Sequence, residues 1–290
     1  MNKVALIGKS VSYSYSKIVH TYIYQKYNLD FQYELISTDD FDCYMDKLKQ
    51  SEYKGYNITI PYKELAFQKA NIISSEVEAI GASNCLICKN SKILAYNTDY
   101  LGFNELIKNN KIELKDKRIL ILGNGGAAKA VYYALKEYQD NVYVVVREKT
   151  SKASRFKNVI TYGEAKDYQV NVIINTTPPA AYIDIKDYLT GFYDKVVLID
   201  VNYVSPTNLM KLFETSYDGF DMLIGQAVYA ARYFYGLDII LTEEDKRKIR
   251  CLIWTDMENY FASQYTVNPM VKKWGLLLME LDRVLKSTWI

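Results

Sequence analysis

The stretch from Lys117 to Val146 limits the fold of this chain more than any other. Arg118-Ile-Leu-Ile-Leu122 is an apolar run of strand length, Gly123-Asn-Gly125-Gly126-Ala-Ala128 follows it directly, and an Ala-rich helical stretch comes next. A G-x-G-x-x-A turn set between a strand and a helix is a dinucleotide-binding fingerprint. Gly123 permits the tight turn, and Gly125 lets the backbone approach a pyrophosphate. Ala128 lets the helix lie close to the strand, so that its N-terminal amides face the phosphates. The competing reading of the same residues is a structural glycine turn in an α/β domain without a ligand.

The rhythm around this turn extends the reading. Asn141 to Val146, Val170 to Ile174 and Val196 to Val201 read as further strands, the layout of a doubly wound, Rossmann-type domain. In the first hundred residues Val4 to Ile7, Phe31 to Ile36, Gly55 to Ile60 and Ser83 to Cys88 read as strands separated by helix-length spacing. Alternation of this kind predicts an α/β protein with parallel sheets. The tail changes character. Thr242 can cap a helix with apolar positions at Ile249, Leu252, Ile253, Met257, Tyr260 and Phe261. Asn268-Pro269 resembles the start of a second helix, with a stripe from Met270 to Leu285. Both are expected to pack on the first domain rather than to serve a partner. The expected organisation is an N-terminal α/β substrate domain over 1–99, completed by C-terminal helices over 237–290, and a cofactor domain over 100–236, with a cleft between them.

Composition excludes several classes of function. The chain has 290 residues, 49% hydrophobic and 24% charged, with a formal net charge of +2, so no broad footprint for nucleic acid or an anionic membrane is expected. No run of 18 apolar residues suggests a membrane span. Met1 to Gly8 reads as a strand and turn rather than a signal peptide, which points to the cytoplasm. Cys85 and Cys88 have C-x-x-C spacing, but no second pair follows and His20 is the only histidine, so no metal site is expected.

Cofactor preference is read at the end of the strand after the glycine turn, where an acid selects NAD and an arginine accommodates a 2′-phosphate. Here Arg147, Glu148 and Lys149 follow Val146. Arg147 with Lys149 favours NADP, since a guanidinium can bind a phosphate bidentately. Glu148 would repel that phosphate if it turned inward, which leaves NAD open.

Three segments ahead of the glycine turn gather polar residues. Ser14 and Ser16 follow the first strand and, if extended, point the same way. Gly55-Tyr-Asn57-Ile-Thr59-Ile-Pro61-Tyr-Lys63 leads a strand into a proline turn that presents a lysine. Gly81-Ala-Ser-Asn84 and Asn97-Thr98-Asp99 form the third group. Each alone reads as turn chemistry; their joint occurrence, in this order, reads as a site.

In this order the motifs resemble those of the shikimate dehydrogenase family. Ser14 and Ser16 match its S-x-S element, with His20 four residues on, and Gly55 to Lys63 match its G-x-N-V-T-x-P-x-K element. Gly81 to Asn84, Asn97 to Phe103, the Gly-Gly-Ala loop, Asn175 to Pro178, Asp200 to Tyr203 and Gly219 to Ala227 follow, so the match runs from about residue 4 to 236. The resemblance implies reversible reduction of 3-dehydroshikimate by NADPH, with small-molecule partners and a monomeric or homodimeric enzyme. It implies Lys63 and Asp99 as the catalytic pair, and Ser14, Ser16, Thr59, Asn84 and Gln226 as substrate ligands. On the cofactor side it implies Gly123, Asn124, Gly125, Gly126, Ala127, Arg147, Thr176, Tyr203, Gly219 and Met222, with packing as the competing role of Tyr203 and Met222. The chemistry agrees, because hydride delivery to a ketone builds negative charge on oxygen, which an ammonium can stabilise and protonate.

The chain also departs from the family pattern. Ser10 and Lys17 stand where proline is usual, Tyr13 where histidine is usual, and Cys85 follows the G-A-x-N element in place of threonine. Val146-Arg147-Glu148 replaces Asn-Arg-Thr, Pro179-Ala180-Ala181 replaces Gly-Met, and the C-terminal segment is longer than expected. These departures keep open a relative acting on quinate or another ring hydroxy acid, with NAD. A cofactor-binding regulator without turnover is the reading from another class, against which Lys63 and Asp99 both stand. A folate-type dehydrogenase or tRNA-linked reductase is opposed by the Ser14–Ser16 and Asn57–Lys63 elements.

Overall fold

The computed structural model describes residues 2–12, 14–178, 189, 192, 195–203 and 207–265, with the backbone alone at 152 and 258–265. The chain divides into a unit over 1–240 and a second over 241–290.

The first unit is built on two six-stranded sheets. In the first, β1 (Asn2–Gly8) buries its run from Val4 to Gly8. It pairs in parallel with β2 (Phe31–Ser37) on one side and β3 (Gly55–Ile58) on the other. Helices α1 (Ser16–Tyr27) and α2 (Phe41–Lys49) make the two crossovers. The sheet then departs from the all-parallel expectation. After α3 (Lys63–Lys69), the short β4 (Ile72–Ile73) and α4 (Ser75–Ile80), β5 (Cys85–Lys89) runs antiparallel to β3 and to β6 (Lys92–Tyr96). Asn90 and Ser91 are the reason, since both take positive φ, 52° and 58°. Two such residues close a hairpin, and a two-residue loop can join only antiparallel strands.

α5 (Asp99–Asn109) leads into the second sheet, which is parallel throughout. β7 (Ile119–Leu122) lies between β8 (Val142–Val146) and β10 (Val172–Asn175), with β9 (Val159–Thr161) outside β8, and β11 (Val197–Asp200) and β12 (Thr215–Tyr217) outside β10. β7 and β10 are buried along their whole length, as expected of central strands covered on both faces. α6 (Gly126–Ala134) follows β7, and the one-turn α7 (Tyr162–Ala165) follows β9. One core layer packs Phe103, Ile121, Val131, Val144 and Ile174 together, and another packs Leu120, Val145, Ile173 and Leu198 on the opposite face.

The chain returns to the first sheet through α8 (Phe220–Tyr235), which packs on α5 and α1. A Cβ at Gly102 would stand 2.5 Å from the Met222 carbonyl oxygen, and one at Gly225 would stand 2.9 Å from the Gly102 Cα. Only paired glycines let α5 and α8 cross this closely. The crossing brings the start of α5 beside the first turns of α8.

The second unit contains α9 (Glu243–Tyr265). Thr242 caps it as its sequence predicts: its hydroxyl accepts from the Asp245 backbone N–H at 3.2 Å, and Asp245 Oδ2 accepts from the Thr242 N–H at 2.7 Å. The side chains of Tyr260 and Phe261, and the second tail helix expected from Asn268, lie outside the described residues. Among the described residues no helix is long and apolar enough to cross a membrane.

Candidate active site

A cleft of roughly 1030 Å³ opens between the two sheets of the first unit. Its walls come from the C-terminal ends of parallel strands, where open α/β sheets bind ligands.

On the first-sheet side, three local structures converge. The segment after β1 is not extended as expected, because the Ser14 N–H donates to the Val11 carbonyl at 2.9 Å and α1 begins at Ser16. The two hydroxyls meet all the same, with Ser14 Oγ donating to Ser16 Oγ at 3.2 Å. β3 ends at Ile58, two residues short of the expected Ile60, and a turn closed from the Tyr62 N–H to the Thr59 carbonyl at 2.9 Å follows. That turn makes Lys63 the first residue of α3. The third structure is a buried polar knot. Asn84 Oδ1 accepts from the Thr98 N–H at 2.6 Å, and Asn84 Nδ2 donates to Asp99 Oδ1 at 2.8 Å. Asn97 Oδ1 accepts from the Asp99 N–H at 3.0 Å, while Asn97 Nδ2 donates to the Ala82 carbonyl at 2.9 Å. Thus Asp99 enters α5 with its carboxylate aimed, and Lys63 Nζ donates to Asp99 Oδ2 at 2.6 Å.

This pair is nearly enclosed, with side-chain exposures of 15% and 9%. A charge-assisted hydrogen bond in such a setting is stronger than one in water. It leaves the ammonium further protons with which to meet an oxygen in the cleft.

On the second-sheet side, Gly123 takes φ of +100° after β7, a conformation that favours glycine. The first helical bond of α6 is made by the Lys129 N–H to the Gly125 carbonyl at 3.0 Å. The N–H groups before it face the helix N-terminus with no intrahelical acceptor. A Cβ at Gly125 would meet nothing within 4 Å, so the loop offers bare backbone to the cleft. These features fit the pyrophosphate of a dinucleotide. A buried network fixes the neighbouring loops. Asp200 Oδ1 accepts from Asn175 Nδ2 at 3.0 Å and from Asn202 Nδ2 at 2.7 Å, and Asp200 Oδ2 accepts from the Thr207 hydroxyl at 2.8 Å. Thr176, Tyr203, Met222 and Gln226 reach the cleft from these loops and from α8.

Beyond β8, Arg147 and Glu148 both line the cleft. Lys149 does not join them, because its Nζ donates to Glu164 Oε1 at 2.9 Å. Glu164 is held down to about pKa 2 by the Thr161 backbone N–H, then by Lys149 and the Thr161 hydroxyl. Of the three residues singled out from the sequence, Arg147 is therefore the one cation that lines the cleft.

Of the site residues named from the sequence, Gly219 alone is absent from the cleft walls. A Cβ there would stand 2.0 Å from the Val201 carbonyl oxygen, so close backbone packing accounts for the glycine. His20 is also away from the cleft. It is fully buried, stacked on Tyr33 with ring centroids 4.3 Å apart. Sequence reading overlooked Asn57, Glu64, Thr150, Thr177 and Asn202, all on the walls. Asn57, Thr177 and Asn202 sit inside the quoted motifs, where position next to a named residue was the available signal. Among the described residues no group of three or more His, Cys, Asp or Glu is placed to hold a metal ion.

Residues 6–86 match the family model described as the shikimate dehydrogenase substrate binding domain. The chain is 34% identical over 265 residues to shikimate dehydrogenase (NADP(+)) of Clostridium perfringens, covering 84% of this chain and 97% of that one. It is 32% identical over 246 residues to the protein of the same name from Clostridium beijerinckii, covering 79% and 90%. Among solved structures, shikimate dehydrogenase 1 of Peptoclostridium difficile superposes with a TM-score of 0.76 at 27% identity, covering 88% of this chain and 99% of that one.

Proposed function

The chain belongs to the shikimate dehydrogenase family, and from that premise we infer that it catalyses the reversible NADPH-dependent reduction of 3-dehydroshikimate to shikimate, a step of aromatic amino acid biosynthesis. The observation that carries this reading is the enclosed Lys63–Asp99 pair, 2.6 Å apart, in the same cleft as the glycine loop.

The bound nicotinamide supplies the hydride. Lys63 Nζ stabilises the negative charge that grows on the substrate carbonyl oxygen and gives it a proton, acid catalysis worth about 10²–10⁴ in rate. Asp99 keeps the ammonium oriented through Oδ2 and remains fixed through Oδ1 on Asn84. In the oxidative direction the same nitrogen takes the proton back. Ser14 and Ser16 offer adjoining hydroxyls to the substrate carboxylate, and Thr59, Asn84 and Gln226 face its ring hydroxyls. The loop from Gly123 to Ala127 holds the pyrophosphate, Arg147 the 2′-phosphate, and Thr176, Tyr203 and Met222 the remainder of the dinucleotide. Residues 1–99 serve as the substrate domain, completed by C-terminal helices, and 100–236 as the cofactor domain; closure of the two excludes water before transfer. The protein acts in the cytoplasm as a monomer or homodimer.

The decisive experiment follows nicotinamide absorbance with purified protein and shikimate, with NADP and NAD in parallel, and repeats it with Lys63→Ala. Shikimate-dependent reduction of NADP, lost by about a hundredfold or more in the variant, supports substrate, cofactor and role together. Turnover of quinate, or preference for NAD, would replace the substrate or cofactor assignment. Cofactor binding without turnover of any ring acid would overturn the enzymatic reading.

A further inference from the structure

The residue after the catalytic lysine is an acid for which the chemistry above has no use. Glu64 lies in the first turn of α3, and its carboxylate crosses to the other side of the cleft to accept from Lys129 Nζ at 2.6 Å. Lys129 lies in the first turn of α6, directly behind the glycine loop. Its side chain is only 7% exposed, whereas that of Glu64 is 49% exposed. A cation in the first turn of a helix faces the positive end of the helix dipole. Burial disfavours its charge further. Neither the helix dipole nor solvation favours a charged lysine there, but an acid arriving from α3 does.

Two more contacts cross the same seam. A Cβ at Gly126 would stand 3.0 Å from Lys63 Cδ and 3.3 Å from Lys63 Cβ, so the aliphatic stem of the catalytic lysine lies against the cofactor loop. Arg155 Nη1 donates to the carbonyls of Glu78 and Ala79, at 3.1 and 3.3 Å, at the end of α4. Of the three contacts, the Glu64–Lys129 pair is the one adjacent in sequence to the reacting group. Where Glu64 is drawn onto α6, the first turn of α3 is drawn with it, and Lys63 begins that turn.

We propose that Glu64 and Lys129 form a positioning pair, which ties α3 to the cofactor helix and so sets where the Lys63 ammonium stands when the cleft is closed. The pair acts through Lys63 and touches no reacting atom. The proposal rests on the dehydrogenase reading for its kinetic consequence, but its structural consequence is independent of turnover.

The test uses the full chain with Lys129→Met, Glu64→Gln, the double variant and Lys129→Arg. Steady-state kinetics with shikimate and NADP are measured beside hydrogen exchange of the α3 backbone amides in the unliganded protein. The expected result is a fall in kcat of at least about tenfold in either single variant, since small misplacements of a catalytic group are costly. KM for shikimate is expected to change far less, the double variant to be no worse than either single, and Lys129→Arg to recover kcat. Exchange in α3 is expected to rise in the Met and Gln variants and return to the parent level with Lys129→Arg. Unchanged kcat in both single variants, or losses that multiply in the double variant, would overturn the proposal. Loss of thermal stability with kcat intact would show a merely structural pair and also overturn it. If the unsubstituted protein does not turn over shikimate, the dehydrogenase reading fails, and α3 exchange still decides the pair: no rise on its removal overturns it.

Discussion

The two oxygens of Asp99 are divided between Lys63 and Asn84: Oδ2 accepts from the lysine ammonium at 2.6 Å and Oδ1 from the Asn84 side-chain amide at 2.8 Å. The carboxylate therefore has one orientation, and the ammonium inherits it. Lys63→Met is expected to lower kcat by about 10²–10⁴ while the protein still binds NADP. Asp99→Asn keeps the shape but removes the charge that orients the ammonium, so kcat is expected to fall with little change in NADP affinity. Steady-state rates together with cofactor titration check both. A variant at either position that retained the parent kcat would remove it from the catalytic pair.

Arg147 and Lys149 follow the same strand, yet only Arg147 faces the cleft, because Glu164 holds Lys149 at 2.9 Å. Loss of a charge-assisted contact to a phosphate is worth about 1.5–3 kcal/mol, or roughly ten- to a hundredfold in affinity. Arg147→Ala is accordingly expected to raise KM for NADP by that factor and to leave KM for NAD nearly unchanged. Lys149→Ala is expected to alter neither by much. Parallel assays with the two cofactors read the difference, and equal losses for NADP and NAD with Arg147→Ala would refute the assignment.

Much of this arrangement was legible in the sequence, and the reasons differ from part to part. The β7–loop–α6 unit was readable because its constraint is local: an apolar run, a glycine turn and an Ala-rich helix are contiguous. Lys63 and Asp99 were readable through their motifs, although 36 residues separate them. The antiparallel β5–β6 hairpin was not, because Asn90 and Ser91 reach positive φ without the glycine that signals such a turn. Ser14 and Ser16 converge for a reason other than the strand geometry expected of them, since α1 starts at Ser16. The role of Gly219 needed coordinates, because the atom it makes room for belongs to Val201. The Glu64–Lys129 pair is non-local in the same way, and nothing in the pattern of either helix announces it.

Two glycines near the cleft make opposite predictions. At Gly126 an added methyl would press on Lys63 Cδ at 3.0 Å, the middle of a flexible side chain that can shift. Gly126→Ala is expected to fold with near-parent stability and to lose kcat, because the shift displaces the ammonium. At Gly219 the methyl would meet the Val201 carbonyl oxygen at 2.0 Å, which is backbone and cannot step aside. Gly219→Ala is expected to cost about 1–3 kcal/mol or more of stability, as overpacking does. Urea melts and kcat measured on both variants separate the two outcomes; a stable, fully active Gly219→Ala protein would contradict the packing account.

His20 predicts how stability depends on pH. Its ring is fully buried, stacked on Tyr33 and within 6.0 Å of the Phe234 ring centroid. Burial lowers its pKa from 6.5 to about 3, opposed in part by the Asn57 side chain. The native protein thus keeps His20 neutral where the unfolded chain protonates it. Above pH 6.5 neither state binds that proton, and the full stability is present. As pH falls from 6.5 towards 3 only the unfolded chain takes the proton up, so stability declines by about 1.4 kcal/mol per pH unit. His20→Phe retains an aromatic ring on Tyr33 and cannot be protonated. The parent is therefore expected to lose about 2 kcal/mol relative to that variant between pH 7 and 5, with carboxylate contributions common to both. Urea melts at the two pH values measure the difference. As His20 is the only histidine, its imidazole signals in an NMR titration report its protonation directly. Parallel stability curves, or a native imidazole that titrates near pH 6.5, would show that the ring is not buried as described.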